Sequence, residues 1–211
     1  ARTCARILGV RTEVRGTPPS GSFLLLSNHL SYIDILVLLG RADAVFVAKS
    51  EIATWPVLGF LARTTGTIFV DRERRRDLTA VNRAIGVAFD RGYGVVLFPE
   101  GTSGRGEALL PFKPSIFEVA FREPAPTVRV ASLAYSTPEN SPPADLSVCW
   151  WGDMGFFGHF LGALGLPSVR AILTFSGETL LAANRKELAQ RAHRAVSEIF
   201  TPSARAGCAR E

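Results

Sequence analysis

The segment Asn28-His29-Leu30-Ser31-Tyr32-Ile33-Asp34 sets a histidine and an aspartate five positions apart, directly after the apolar run Phe23 to Leu26. Histidine is the side chain whose ordinary pKa suits proton transfer near neutral pH. A carboxylate beside it fixes the tautomer and stabilises the imidazolium as charge forms. His29 is therefore the candidate general base and Asp34 its orienting partner. The same residues also read as a helix N-terminus, with Ser31 as N-cap and Asp34 at N3 facing unpaired amides. The two readings are compatible. Along a continuous helix, five residues separate side chains by about 140°, so His29 meets Asp34 only from the turn before the helix, and a cap at Ser31 creates that turn.

Three further blocks follow: Lys49-Ser50-Glu51-Ile52 with Gly59 and Gly66-Thr67-Ile68-Phe69-Val70-Asp71-Arg72; then Phe98-Pro99-Glu100-Gly101-Thr102-Ser103; then Val128-Arg129-Val130-Ala131-Ser132. Lys49 and Arg72 are cations suited to gripping a phosphate, Arg bidentately and Lys as a point charge, or else they are surface charges. Gly101 lets backbone approach a ligand closely, and Thr102 and Ser103 offer hydroxyls. Glu100 either serves the site or caps the turn that follows. Lys113 and Arg105 are additional cations near the same block. Trp55, Pro56 and Leu58 line an apolar groove or belong to the core.

In order and spacing these blocks resemble the lysophospholipid acyltransferase family, over about Leu8 to Phe200. The stretch from Lys49 through Ile52 and Gly59 to Arg72 is similar to that family's Lys-x2-Leu-x6-Gly-x12-Arg element, with Ile in the Leu place. The resemblance implies direct transfer of a fatty acyl group from an acyl thioester, acyl-CoA or acyl carrier protein, to the free hydroxyl of lysophosphatidic acid, giving phosphatidic acid. It implies His29 and Asp34 as the catalytic pair, and substrate binding by Lys49, Arg72, Glu100, Gly101, Thr102, Ser103 and Lys113. It implies no metal and no cofactor beyond the donor. The thioester is already activated, so no enzyme nucleophile is required, and no Gly-x-Ser-x-Gly elbow is present. Ser103 stands where the family commonly has Arg, and the fourth block is a loose match to its Val-Pro-Val strand. Both departures bear on the acceptor, so another lysolipid such as a lyso-ornithine lipid is the alternative. A non-catalytic peripheral lipid-binding protein of the same fold is the rival from another class, and an intact His29 with Asp34 argues against it.

Short β-rich runs alternate with helical stretches: Phe23–Leu26 then Tyr32–Leu39, Ala44–Ala48 then Glu51–Ala62, Thr67–Val70 then Leu78–Asp90, Val95–Phe98 then Ser115–Phe121. Val128–Tyr135, Leu146–Trp150 and Val169–Phe175 read as later strands, with a Pro-rich loop at Pro138 to Pro143 and a closing helix from Asn184 to Phe200. That rhythm predicts an α/β domain with a largely parallel sheet flanked by helices. In such sheets, sites gather beyond the carboxyl ends of the strands, and His29, Lys49, Arg72 and Glu100 each fall there.

The 211 residues, 47% hydrophobic and without a linker-like stretch, suit a single domain over 1–211. A net charge of +5 calls for an anionic partner. Nucleic acid is set aside, because the basic run Arg72 to Arg76 lacks interleaved aromatics and no recognised motif accompanies it. P-loop and Rossmann fingerprints are also missing. Three widely spaced Cys form neither a disulfide framework nor a zinc pattern. The run Arg72 to Arg76 and the Gly-rich, Phe-rich stretch Gly155 to Pro167 around His159 suggest an anionic membrane surface, with a solvated helix start and ordinary core as the alternatives. No apolar run has spanning length. The expectation is therefore attachment at the cytoplasmic face of the cell membrane, peripheral or through an N-terminal segment preceding Ala1.

Overall fold

Residues 2–70 and 75–205 are described by the computed structural model, with side chains other than those at 2, 4, 49, 56–58, 61, 75–80, 204 and 205. In chain order the elements are α1 (Arg2–Ile7), β1 (Val10–Arg15), β2 (Phe23–Ser27), α2 (Ile33–Leu39), β3 (Ala44–Lys49), a 3-10 helix Ser50–Thr54 and α3 (Pro56–Thr64). Then come β4 (Ile68–Val70), α4 (Arg75–Asp90), β5 (Gly94–Leu97), a 3-10 helix Pro114–Phe121, β6 (Thr127–Thr137), α5 (Ala144–Ser147), α6 (Phe156–Leu164), β7 (Val169–Phe175), α7 (Arg185–Ile199) and β8 (Ala204–Arg205). They build the expected α/β domain.

The sheet runs β1-β7-β6-β2-β5-β3-β4, with β8 on β6. Every pairing is parallel except β6 with β7. β2 lies at the centre and all five of its residues are buried. Successive side chains of a strand point to opposite faces, and so Phe23 and Leu25 join the layer beneath α1 and α2, while Leu24 and Leu26 join the layer beneath α4, α7 and the second 3-10 helix. This burial on both faces is why Phe23 to Leu26 reads as an uninterrupted apolar run. Gly94 lets β5 close on β2, since a Cβ there would sit 2.1 Å from the Phe23 ring.

α1, α6 and β8 were not expected, and two further differences have a local cause. Leu146–Trp150 is not a strand: Ala144–Ser147 forms a helical turn entered from Pro143, and Val148 and Cys149 are fully buried beyond it. Their apolar character reflects burial, not strand pairing. β1 went unpredicted because it is an edge strand paired only with β7, and its charges, Arg11, Glu13 and Arg15, mask the alternation.

Candidate active site

β2 and β5 are parallel neighbours, with Leu26 opposite Leu97. The chain therefore leaves both at the same edge, and Asn28-His29 arrives beside Phe98-Pro99-Glu100. Asn28 holds the departure point. Its side-chain amide donates to the Leu133 carbonyl at 2.9 Å and accepts from the Leu133 amide at 2.7 Å, so the side chain continues the ladder to β6. The carbonyls of the next two residues are also taken, that of His29 by the Gly104 amide (2.8 Å) and that of Leu30 by the Trp150 amide (2.8 Å).

Asp34 sits in the first turn of α2, fully buried. Its Oδ2 accepts from His29 Nδ1 at 2.7 Å, from the Leu30 amide at 2.7 Å and from the Ser31 amide at 3.1 Å. Its Oδ1 accepts from the Tyr135 hydroxyl at 2.7 Å. Four donors hold one buried carboxylate, which is what retaining a charge away from water requires. Because Nδ1 must carry the proton it donates, Nε2 is left as the basic nitrogen, with no partner among the described residues. The imidazole is stacked 4.1 Å from the Phe98 ring and its side chain is 23% exposed. His29 thus meets Asp34 from the turn before α2, as the spacing requires, and the segment opens a helix as expected, with one correction to its cap. The N-cap is Tyr32 without a side-chain bond, Ser31 Oγ accepts only a long bond from the Ile33 amide, and Asp34 satisfies the turn's amides instead.

Glu100 lies beneath this turn, 2% exposed, and accepts from the His29 amide at 3.3 Å. Burial pushes its carboxyl up to about 8, with Asp34's charge adding to the rise and backbone hydrogen bonds from His29 and Leu110 opposing it. Glu100 ties the third block to the first and does so as a neutral acid near pH 7. Gly101 has φ of +73°, and a Cβ there would lie 3.0 Å from Lys113 Nζ, so Lys113 stretches across the Gly101 backbone. Thr102 is exposed. Ser103 Oγ donates to the Trp150 carbonyl and braces the turn.

The other candidates divide. Lys49 ends β3, the neighbour of β5, at the same sheet edge as His29 and Glu100, and Arg72 lies outside the described residues. Arg105 is committed elsewhere, paired with Asp145 at 2.8 Å and lying 5.3 Å over Trp151. Trp55 packs on Trp150 and Phe156, each at 5.7 Å. Phe156 and Phe160 face inward around Tyr32, whereas Phe157, Leu161 and Leu164 are exposed. Sequence reasoning missed Tyr135, the Asn28 clasp and the Tyr32–His159 hydrogen bond of 3.1 Å. Among the described residues no cluster has the makings of a metal site.

A histidine at the carboxyl edge of a mostly parallel sheet, oriented by a buried aspartate, is equipped to deprotonate a hydroxyl for attack on an acyl group. The family model described as "Acyltransferase" matches residues 11–135, and the chain belongs to that family; it is an O-acyltransferase. It is 39% identical over 202 residues to the lyso-ornithine lipid O-acyltransferase of Rhizobium meliloti (strain 1021), covering 90% of this chain and 69% of that protein. Over 117 residues it is 39% identical to the 1-acyl-sn-glycerol-3-phosphate acyltransferase of Neisseria gonorrhoeae, covering 56% of this chain and 46% of that protein. The crystal structure of the 1-acyl-sn-glycerophosphate acyltransferase PlsC from Thermotoga maritima shares the fold, with a TM-score of 0.65 at 17% identity over 94% of this chain and 75% of that one.

Proposed function

We propose that this chain transfers a fatty acyl group from an acyl thioester, acyl-CoA or acyl carrier protein, to the free hydroxyl of a lysolipid at a membrane surface. The observation that carries the reading is the His29 Nδ1 to Asp34 Oδ2 bond of 2.7 Å, which presents Nε2 as base. Nε2 takes the proton of the acceptor hydroxyl as its oxygen attacks the thioester carbonyl. Asp34 stabilises the imidazolium that forms, and the proton passes to the departing thiolate as the ester is completed. Lys113, drawn over Gly101, supplies positive charge at the mouth of the site.

For the acceptor, a lyso-ornithine lipid is favoured over lysophosphatidic acid by two observations. The likeness to the lyso-ornithine lipid enzyme extends across 90% of this chain, against 56% for the glycerophosphate enzyme. Ser103 stands in place of an arginine, and the nearby Arg105 is held by Asp145. Purified protein with labelled acyl-CoA or acyl carrier protein, offered lyso-ornithine lipid and lysophosphatidic acid in parallel, tests the reading. Preferential acylation of lyso-ornithine lipid is expected. Equal or greater turnover of lysophosphatidic acid overturns the acceptor assignment, and no acylation of either overturns the function.

A further inference from the structure

The carboxyl edge of the sheet is walled on one side by α6. Trp150, whose backbone is bonded to the Leu30 carbonyl and to Ser103 Oγ, stands between the His29 turn and this helix. Tyr32 closes the gap. Its ring meets Phe156 at 5.2 Å and Phe160 at 6.2 Å. Its hydroxyl donates to His159 Nδ1, and His159 Nε2 in turn donates to the Cys149 carbonyl at 3.1 Å. The inner face of α6 is thus fastened to the segment that carries the catalytic pair. Its outer face is bare: Phe157 is 69% exposed, Leu161 54% and Leu164 43%. From Met154 to Val169 the sequence has no Asp, Glu, Lys or Arg, in a chain that is 20% charged overall. Added Cβ atoms at Gly155, Gly158 and Gly162 would meet nothing within 4 Å.

We propose that α6 is the element by which this acyltransferase seats on a lipid bilayer, with Phe157, Leu161 and Leu164 entering the boundary between headgroups and acyl chains. The inference rests on the lysolipid reading, since the occupant of the outer face is the phase in which such an acceptor resides. Apolar side chains on one helix face, with no charge between Met154 and Val169, suit an interface held by apolar burial and not by headgroup charge. The aromatic wall on the inner face is continuous with that surface, so a lysolipid leaving the bilayer passes along α6 to reach His29.

The test uses the full chain and sedimentation with neutral phosphatidylcholine vesicles at high salt, where attraction to anionic lipid is absent or screened. Wild type is expected to bind. The double variant Phe157→Ser, Leu161→Ser is expected to lose about tenfold or more in partitioning. Leu181→Ser, at a position 76% exposed next to the layer beneath α7, is expected to bind as wild type does. Failure of wild type to bind neutral vesicles, unchanged binding by the double variant, or an equal loss in Leu181→Ser overturns the proposal. So does a shift in oligomeric state of the double variant without a change in vesicle binding, which would mean that a second copy covers α6. Transfer to a short-chain lysolipid below its aggregation concentration separates this from the functional reading. The double variant is expected to retain it, and its absence in wild type sinks the function while leaving the vesicle result to stand.

Discussion

Tyr135→Phe removes one oxygen atom from a side chain that is 1% exposed and deletes the bond accepted by Asp34 Oδ1 at 2.7 Å. Burial pushes the Tyr135 phenol well above its ordinary pKa, with the charge of Asp34 adding to the rise, so the hydroxyl keeps its proton throughout the working pH range. Asp34 has no other donor on Oδ1 among the described residues, and its second oxygen is already shared by His29 and two amides. A hydrogen bond to a charged group contributes about 1.5–3 kcal/mol. The variant is therefore expected to lose about 2 kcal/mol in urea unfolding with m unchanged, or about 4–8 °C in Tm for a chain of this length. Catalysis responds separately. Without the phenol, Asp34 is fixed through Oδ2 alone and holds the imidazole less firmly. Plateau kcat falls by less than about tenfold, because the remaining three donors keep His29 aimed. A purely structural role lowers stability without changing kcat. Unchanged stability with unchanged kcat would refute the reasoning altogether.

His29→Ala is expected to lower turnover by about 10² to 10⁴-fold with folding intact by circular dichroism, since base catalysis contributes that much. His159 is held by Tyr32 and the Cys149 carbonyl, so it offers no substitute; near-normal turnover in a folded variant would reassign the base. For Glu100, burial raises the carboxyl from 4.5 to about 8, so the folded chain holds a proton that the unfolded chain releases between those values. Its contribution, at most about 5 kcal/mol, is fully present below about pH 4.5 and lost as pH rises through about 8. Glu100→Gln should flatten the decline in urea midpoint between pH 5 and pH 8, and an unaltered slope speaks against a neutral Glu100.

The parts of the fold that were legible in the sequence are those whose signal is local. β2 announced itself because both of its faces are buried. α7 is capped by Asn184, whose side chain accepts from the Lys186 and Glu187 amides, and its apolar positions recur at helical spacing. His29 and Asp34 were readable as a pair because a single turn joins them. Tyr135 left no such mark: it reaches Asp34 across 101 residues of chain from within an apolar strand, where a phenol looks like any other core aromatic. Val148 and Cys149 misled for a related reason, since full burial selects the same residue types as a strand does. Glycine and exposed aromatics around Phe156–Leu164 hid a helix whose two faces serve different neighbours.

The clasp between Asn28 and Leu133 spans 105 residues, and the bond from the His29 amide to Glu100 spans 71. Closing loops of that length before any contact rewards them is slow, and it places the assembly of the site late in folding. A chain emerging from the ribosome carries His29 and Asp34 early, yet it has no Tyr135 to secure Asp34 and no β6 against which to clasp Asn28. The turn that carries His29 and Asp34 is thus closed locally through Asp34 Oδ2, but it is seated in the sheet only when the central strands β5, β2 and β6 stand side by side.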